Sequence, residues 1–119
     1  MVSRLNISLR TAILGILHTK AWLVDDQHLY IGSANIDWRS LKQVKELGVA
    51  FFNCPCVAAD ARKLFDVYWQ MGAPNSQIPA KWPADLATVF NANNPISATL
   101  NQQQSAVYLS VCFFPCFLR

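Results

Sequence analysis

Residues 18–35, HTKAWLVDDQHLYIGSAN, carry the reading on which the fold rests. Residues 21–24 are apolar and suit a strand, and period-two geometry places His18, Lys20 and Trp22 on one face of that extended run. Asp25-Asp26-Gln27 has the composition of a turn. Residues 28–31 read as the return strand of a hairpin, and Gly32-Ser33 breaks it.

Working outward, residues 12–17 read as a buried strand leading into His18. Downstream, Asp37 is a candidate N-cap for a short helix running to about Lys42. Residues 47–52, LGVAFF, read as a buried strand. Residues 57–71 give the clearest helix: Val57, Ala61, Leu64, Phe65 and Tyr68 fall at helical spacing, with Gly72 at the C-terminal end. Residues 73–104 contain Pro74, Pro79, Pro83, Pro95 and many Asn and Gln, and read as an extended surface segment. Residues 107–114 read as a last strand. The order implies an α/β or α+β class, with a mixed β-sheet flanked by helices. A hairpin plus one or two strands is a thin core for this much apolar sequence, so the sheet is expected to be incomplete, a half-domain. The expected division is 1–72, carrying the motif at 18–35, and 73–119, an extended segment and terminal strand.

At 119 residues the chain is at most one domain. Hydrophobic residues make up 53% of it, which excludes wholesale disorder. A net charge of +3 suits an anionic substrate without demanding one, and no Lys/Arg run forms a nucleic-acid stripe. Arg4 and Arg10 precede the short apolar run 12–17, as in a signal peptide, but no small-residue cleavage site separates that run from His18. Residues 106–118 are apolar but broken by Pro115, short of the roughly 20 needed to span a bilayer. No membrane anchor is expected within the chain. Asn6-Ile7-Ser8 is an N-glycosylation sequon, which nudges the reading toward a lumenal location. Cys54-Pro55-Cys56 is too tight for a zinc knuckle and only two histidines exist, so zinc is not expected. Disulfides of a secretory compartment and buried free thiols both fit Cys54, Cys56, Cys112 and Cys116.

The chemistry lies in the motif. Cleaving a phosphodiester needs a nucleophile, donors to hold the non-bridging oxygens and an acid for the leaving oxygen. Histidine serves as nucleophile or acid because its pKa lies near neutrality. Lysine supplies a point charge for phosphate. Ser33 and Asn35 add neutral donors, and Gly32 permits a tight approach of the backbone. His18, Lys20, Ser33 and Asn35 are therefore the expected phosphate-binding set. Asp25, at the strand end, braces the turn. No metal and no cofactor are called for.

The spacing His18-x-Lys20, four residues, Asp25, six residues, Gly32-Ser33-x-Asn35 is the signature of the phospholipase D superfamily, which this chain resembles. Six fixed residues at fixed gaps recur by chance with a probability on the order of 10⁻⁸ per starting position. The resemblance implies a mixed sheet between helices, a covalent phosphohistidine, and a second histidine that protonates the departing oxygen. It also implies a glutamate that orients the histidine ring, for which Glu46 is the candidate. The implied catalytic set is then His18, Lys20, Asp25 and Glu46. The stretches NIDWRSLKQVKELGV and NCPCVAADARKLFDVYW resemble the lumenal subgroup of phospholipase D family members three and four. That implies glycoproteins of the endoplasmic reticulum and lysosome, with two motif copies, acting as 5′-to-3′ exonucleases on single-stranded nucleic acid. Here one motif is present. The partner half-site is expected from a missing part of the chain or from a dimer partner. Two alternatives stand beside the exonuclease: hydrolysis of phosphatidylcholine, and a catalytically inactive fragment or binding partner.

Several residues carry a plainer account. His28 lacks partners in sequence and reads as structural. Trp22, Trp38, Phe51, Phe52, Tyr68 and Trp69 read as core packing rather than a base-stacking platform, although Trp38 lies beside the Asn35 loop. Arg39 and Lys42 read as exposed helix charges.

Overall fold

The computed structural model describes residues 18–110. The expected strand at 12–17, the sequon at Asn6, and Cys112 and Cys116 lie outside them. Strands β1 (Lys20–Val24) and β2 (His28–Gly32) form the expected hairpin. Three residues, Asp25 to Gln27, join the strands beyond the closing pair Val24–His28. Asp25 and Asp26 both sit at φ 53°, and the Gln27 N–H donates to the Val24 carbonyl at 3.1 Å. Two consecutive left-handed residues make a turn whose twist matches that of the strands it joins, and aspartate tolerates this conformation better than most side chains. Strand β3 (Gly48–Phe51) adds to β2 in antiparallel register, pairing Leu29 with Phe51 and Gly32 with Gly48.

Helix α1 (Trp38–Lys42) lies in the β2–β3 connection. Its expected cap is present: the Asp37 carboxylate accepts the backbone N–H groups of Arg39 and Ser40, each at 2.9 Å. These bonds, with Ser40 the stronger contributor, hold the Asp37 carboxyl below its ordinary pKa of 3.8. Helix α2 (Pro55–Met71) starts two residues earlier than the apolar spacing indicates. Pro55 takes the first helical position, where its missing N–H leaves no bond unmade. The Cys54 N–H is bound to the Gln27 carbonyl at 2.8 Å, which fastens the helix start to the hairpin turn. Gly72 closes the helix through its N–H to the Tyr68 carbonyl at 3.0 Å.

The polar tract departs from its sequence reading. Within residues 73–104, expected to be extended surface chain, β4 (Ile96–Leu100) pairs with β5 (Gln103–Val107) in a second antiparallel hairpin. Asn101 and Gln102 form its turn at φ 49° and 66°. Val107 is therefore the end of a strand rather than the start of one, and residues 111–119 lie outside the described chain. A single 3₁₀ turn at Ala84–Leu86 precedes the hairpin.

The α+β class stands, with two sheets, β1-β2-β3 and β4-β5, both antiparallel among the described residues. The core joins elements far apart in sequence. Leu29 and Phe51 of the first sheet, Val57 and Ala61 of α2, and Ile96 and Ala98 of β4 pack with Cys54 into one cluster. Val57 is completely buried. Helix α2 thus covers the face of the first sheet that presents Leu29 and Phe51. The register places Lys20, Trp22, Tyr30, Gly32, Gly48 and Ala50 on the opposite face. There Trp22 and Ala50 are exposed. No helix of the described residues is long and apolar enough to cross a membrane.

Candidate phosphate site at one end of the sheet

Strand register gathers most of the motif at one end of the first sheet. Lys20 opens β1 and pairs directly with Gly32, which closes β2 and in turn pairs with Gly48 at the start of β3. His18 is therefore two residues from that end along one strand, Ser33 is one residue beyond it along the next, and Glu46 lies two before it on the third. Asp25 is elsewhere. It sits in the hairpin turn at the far end of β1, roughly 16 Å away at strand rise. Its left-handed backbone makes it a turn residue in this structure.

A tether orients the His18–Lys20 segment. The Thr19 hydroxyl is 3.2 Å from the Tyr68 hydroxyl of α2. With Thr19 turned toward the helix, alternation along an extended segment turns His18 and Lys20 to the open face. His18 is exposed, and its carbonyl accepts the Lys20 ammonium at 2.9 Å. Sequence reasoning left Thr19 as the unassigned middle of the motif, and nothing in the spacing points to Tyr68 as its partner. They are 49 positions apart.

Ser33 and Glu46 form the other side. The Ser33 N–H donates to the Leu47 carbonyl at 2.9 Å, and the Leu47 N–H donates to Ser33 Oγ at 3.0 Å. The Ser33 hydroxyl donates to the Glu46 carboxylate. The side chain expected to hold phosphate thus stitches the end of β2 to the approach of β3. The carboxylate expected to face the histidine ring is bound to Ser33 in this structure. Asn35 is exposed, and its side chain makes no hydrogen bond with the described residues. The second histidine is part of a different feature. His28 Nδ1 accepts the Asn53 N–H at 3.2 Å, which ties the ring to the end of β3.

Among the described residues no three His, Cys, Asp or Glu side chains cluster as a metal site. Cys54 is buried and Cys56 exposed, with their sulfurs 3.6 Å apart and unbonded. Burial pushes the Cys54 thiol pKa up, opposite to the shift an attacking thiolate needs.

The comparisons with known proteins agree with the motif. The chain is 55% identical over 96 residues to the Xenopus laevis protein named 5′-3′ exonuclease PLD3, 50% to the Homo sapiens protein of that name, and 44% to the human 5′-3′ exonuclease PLD4. Each alignment covers 81% of this chain but only 19–20% of the relative, so the chain spans about a fifth of the length of the curated proteins it matches. Residues 2–116 match the family described as PLD3/4, PLD-like domain, and the chain belongs to that family.

Proposed function

We propose that this chain carries one catalytic half-site of a phosphodiesterase that hydrolyses phosphodiester bonds through a phosphohistidine. Its substrate in this reading is single-stranded nucleic acid, degraded from the 5′ end. The observation that supports the reading is the register Lys20–Gly32–Gly48, from whose end His18, Ser33 and Glu46 are each one or two residues away along the chain. The names of the relatives, 5′-3′ exonucleases, support the substrate class.

In the first step a ring nitrogen of His18 bonds to phosphorus and the bond to the leaving oxygen breaks. Lys20 and Asn35 hold the non-bridging oxygens as charge accumulates on them. Glu46, held by Ser33, stands ready to accept the proton on the other ring nitrogen and fix the tautomer. Asp25 serves this chemistry indirectly by shaping the turn that sets the β1–β2 register. The leaving oxygen takes its proton from a second histidine, supplied by a further half-site elsewhere in a longer polypeptide or by a second copy of this chain. Water then attacks phosphorus, and the P–N bond breaks to regenerate the imidazole. A lumenal setting with glycosylation at Asn6 accompanies this reading.

The test is chemical trapping. The chain is incubated with a single-stranded oligonucleotide labelled at phosphorus and quenched in alkali, where phosphohistidine survives. Label on His18, absent from His18→Ala, is the expected result. Turnover retained by His18→Ala overturns the assignment. Absence of both label and turnover from the wild-type chain across a wide protein concentration range overturns assembly of the site from two copies of this chain.

A further inference from the structure

We infer that the Tyr30 hydroxyl is a phosphate-binding group of the Lys20 site, taking the place that the bound Ser33 hydroxyl leaves open; this rests on the phosphodiesterase reading above. The carrying observation is a pair of glycines. Gly32 and Gly48 face each other across β2 and β3, and the Tyr30 ring lies over both. A Cβ on Gly48 would stand 2.5 Å from the Tyr30 hydroxyl and 2.6 Å from its Cε2, and a Cβ on Gly32 would overlap the same hydroxyl and stand 2.6 Å from Cζ. No side chain larger than hydrogen fits at either position with the ring where it is. Glycine inside a strand weakens the strand and often marks a close approach. Here two of them clear a floor on which one phenol lies flat.

The direction of that ring gives it a use. It packs against Trp22, ring centres 5.5 Å apart, and its hydroxyl end lies over Gly32 and Gly48 at the end of the sheet where the motif gathers. The hydroxyl comes to rest above Gly32, the residue paired with Lys20. Side-chain positions directly opposite in an antiparallel pair are about 4.5–5.5 Å apart, well within the reach of a lysine stem. Tyr30 and Lys20 share the open face, and the Tyr30 hydroxyl has no hydrogen-bond partner among the described residues. The non-bridging oxygens of a phosphodiester only accept. In this structure the Lys20 ammonium donates to the His18 carbonyl; turned from there toward the open face, it would set a charged donor near the neutral phenol O–H, the combination that fixes an anion's orientation as well as holding it. Ser33 cannot give that donor while its proton is on Glu46.

The experiment titrates inorganic phosphate into the chain, followed by amide NMR shifts and by thermal unfolding, for wild type, Tyr30→Phe, Lys20→Ala and Gly48→Ala. Tyr30→Phe keeps the ring and removes one hydrogen. The expected result is a roughly tenfold weaker phosphate affinity with an unchanged unfolding midpoint. Gly48→Ala, which displaces the ring, is expected to weaken phosphate as well, and Tyr30→Phe decides the matter if that variant folds poorly. Binding lost in Lys20→Ala but unchanged in Tyr30→Phe overturns this inference alone. Equal and negligible binding by wild type and Lys20→Ala removes the phosphate site, and the functional reading with it.

Discussion

The two faces of the three-stranded sheet are built from the same three strands by opposite rules. One face presents Leu29 and Phe51 to α2 and β4 and is closed by a fully buried Val57. The other presents Lys20, Trp22, Tyr30 and two glycines and leaves Trp22 exposed. On the first face side-chain volume decides stability. On the second the absence of side chains at Gly32 and Gly48 decides where a phenol lies. One extended segment serves both because its period is two: Thr19 reaches α2 while its neighbours His18 and Lys20 turn away. The lesson is that the open face can be altered without touching the core, although no residue on one face is more than a step along the chain from the other.

The sharpest way to break this contrast is a cut in the core face. Leu29→Ala is expected to destabilise the chain by about 2–5 kcal/mol, because Leu29 is 3% exposed and the site cannot collapse around the missing atoms. Thermal or urea unfolding measures it. A change below about 1 kcal/mol would mean that α2 is not packed on this face as described.

A smaller effect is expected at the seam between the strands. Ser33→Ala removes the acceptor of the Leu47 N–H and the donor to Glu46. The site is exposed, so the loss is set near the lower end for hydrogen bonds, about 0.5–1.5 kcal/mol. Faster hydrogen exchange at Leu47 than at residues of the core face is the signature. Uniformly faster exchange would show that the seam and the core unfold together and that the two faces are not separable.

The smallest effect is a pH dependence confined to α1. The Asp37 carboxyl has a folded pKa below its ordinary 3.8, so its contribution is complete above that value and is lost as pH falls through the depressed one. Amide shifts of Arg39 and Ser40 followed below pH 4 should report uncapping of α1 while Leu29 and Val57 stay unchanged. Asp37→Asn, which keeps an acceptor without the titration, should abolish the pH dependence. An acid transition shared by core residues would contradict a local origin.

Much of this was readable from particular residues. The first hairpin announced itself because an Asp-Asp turn separates two short apolar runs, and its type of turn needs residues that accept the left-handed conformation. The second hairpin also sets five-residue strands around two consecutive left-handed residues, with a connection of two residues where the first has three, and was missed. Its turn, Asn101-Gln102, is buried in a run of Asn and Gln, so no change of composition marks where strand stops and turn begins. Ile96 and Ala98 alternate correctly for a strand, but a short alternation in a polar tract is a weak signal until a core exists to receive it. At the candidate site, the gaps between His18, Lys20, Ser33 and Asn35 pointed to the family that the chain belongs to. They did not reveal that Ser33 is committed to Glu46 and Leu47, or that Tyr30 has moved into the space above the glycines.

The sequence by itself determined the family and the first hairpin, because fixed gaps, strand period and turn chemistry are local properties of the chain. Only the tertiary structure decided that the Ser33 hydroxyl is bound to Glu46 while that of Tyr30 lies over the two glycines. That depends on which atoms from separate strands come within bonding distance, and pairing between β2 and β3 sets this together with the packing of α2 beneath them.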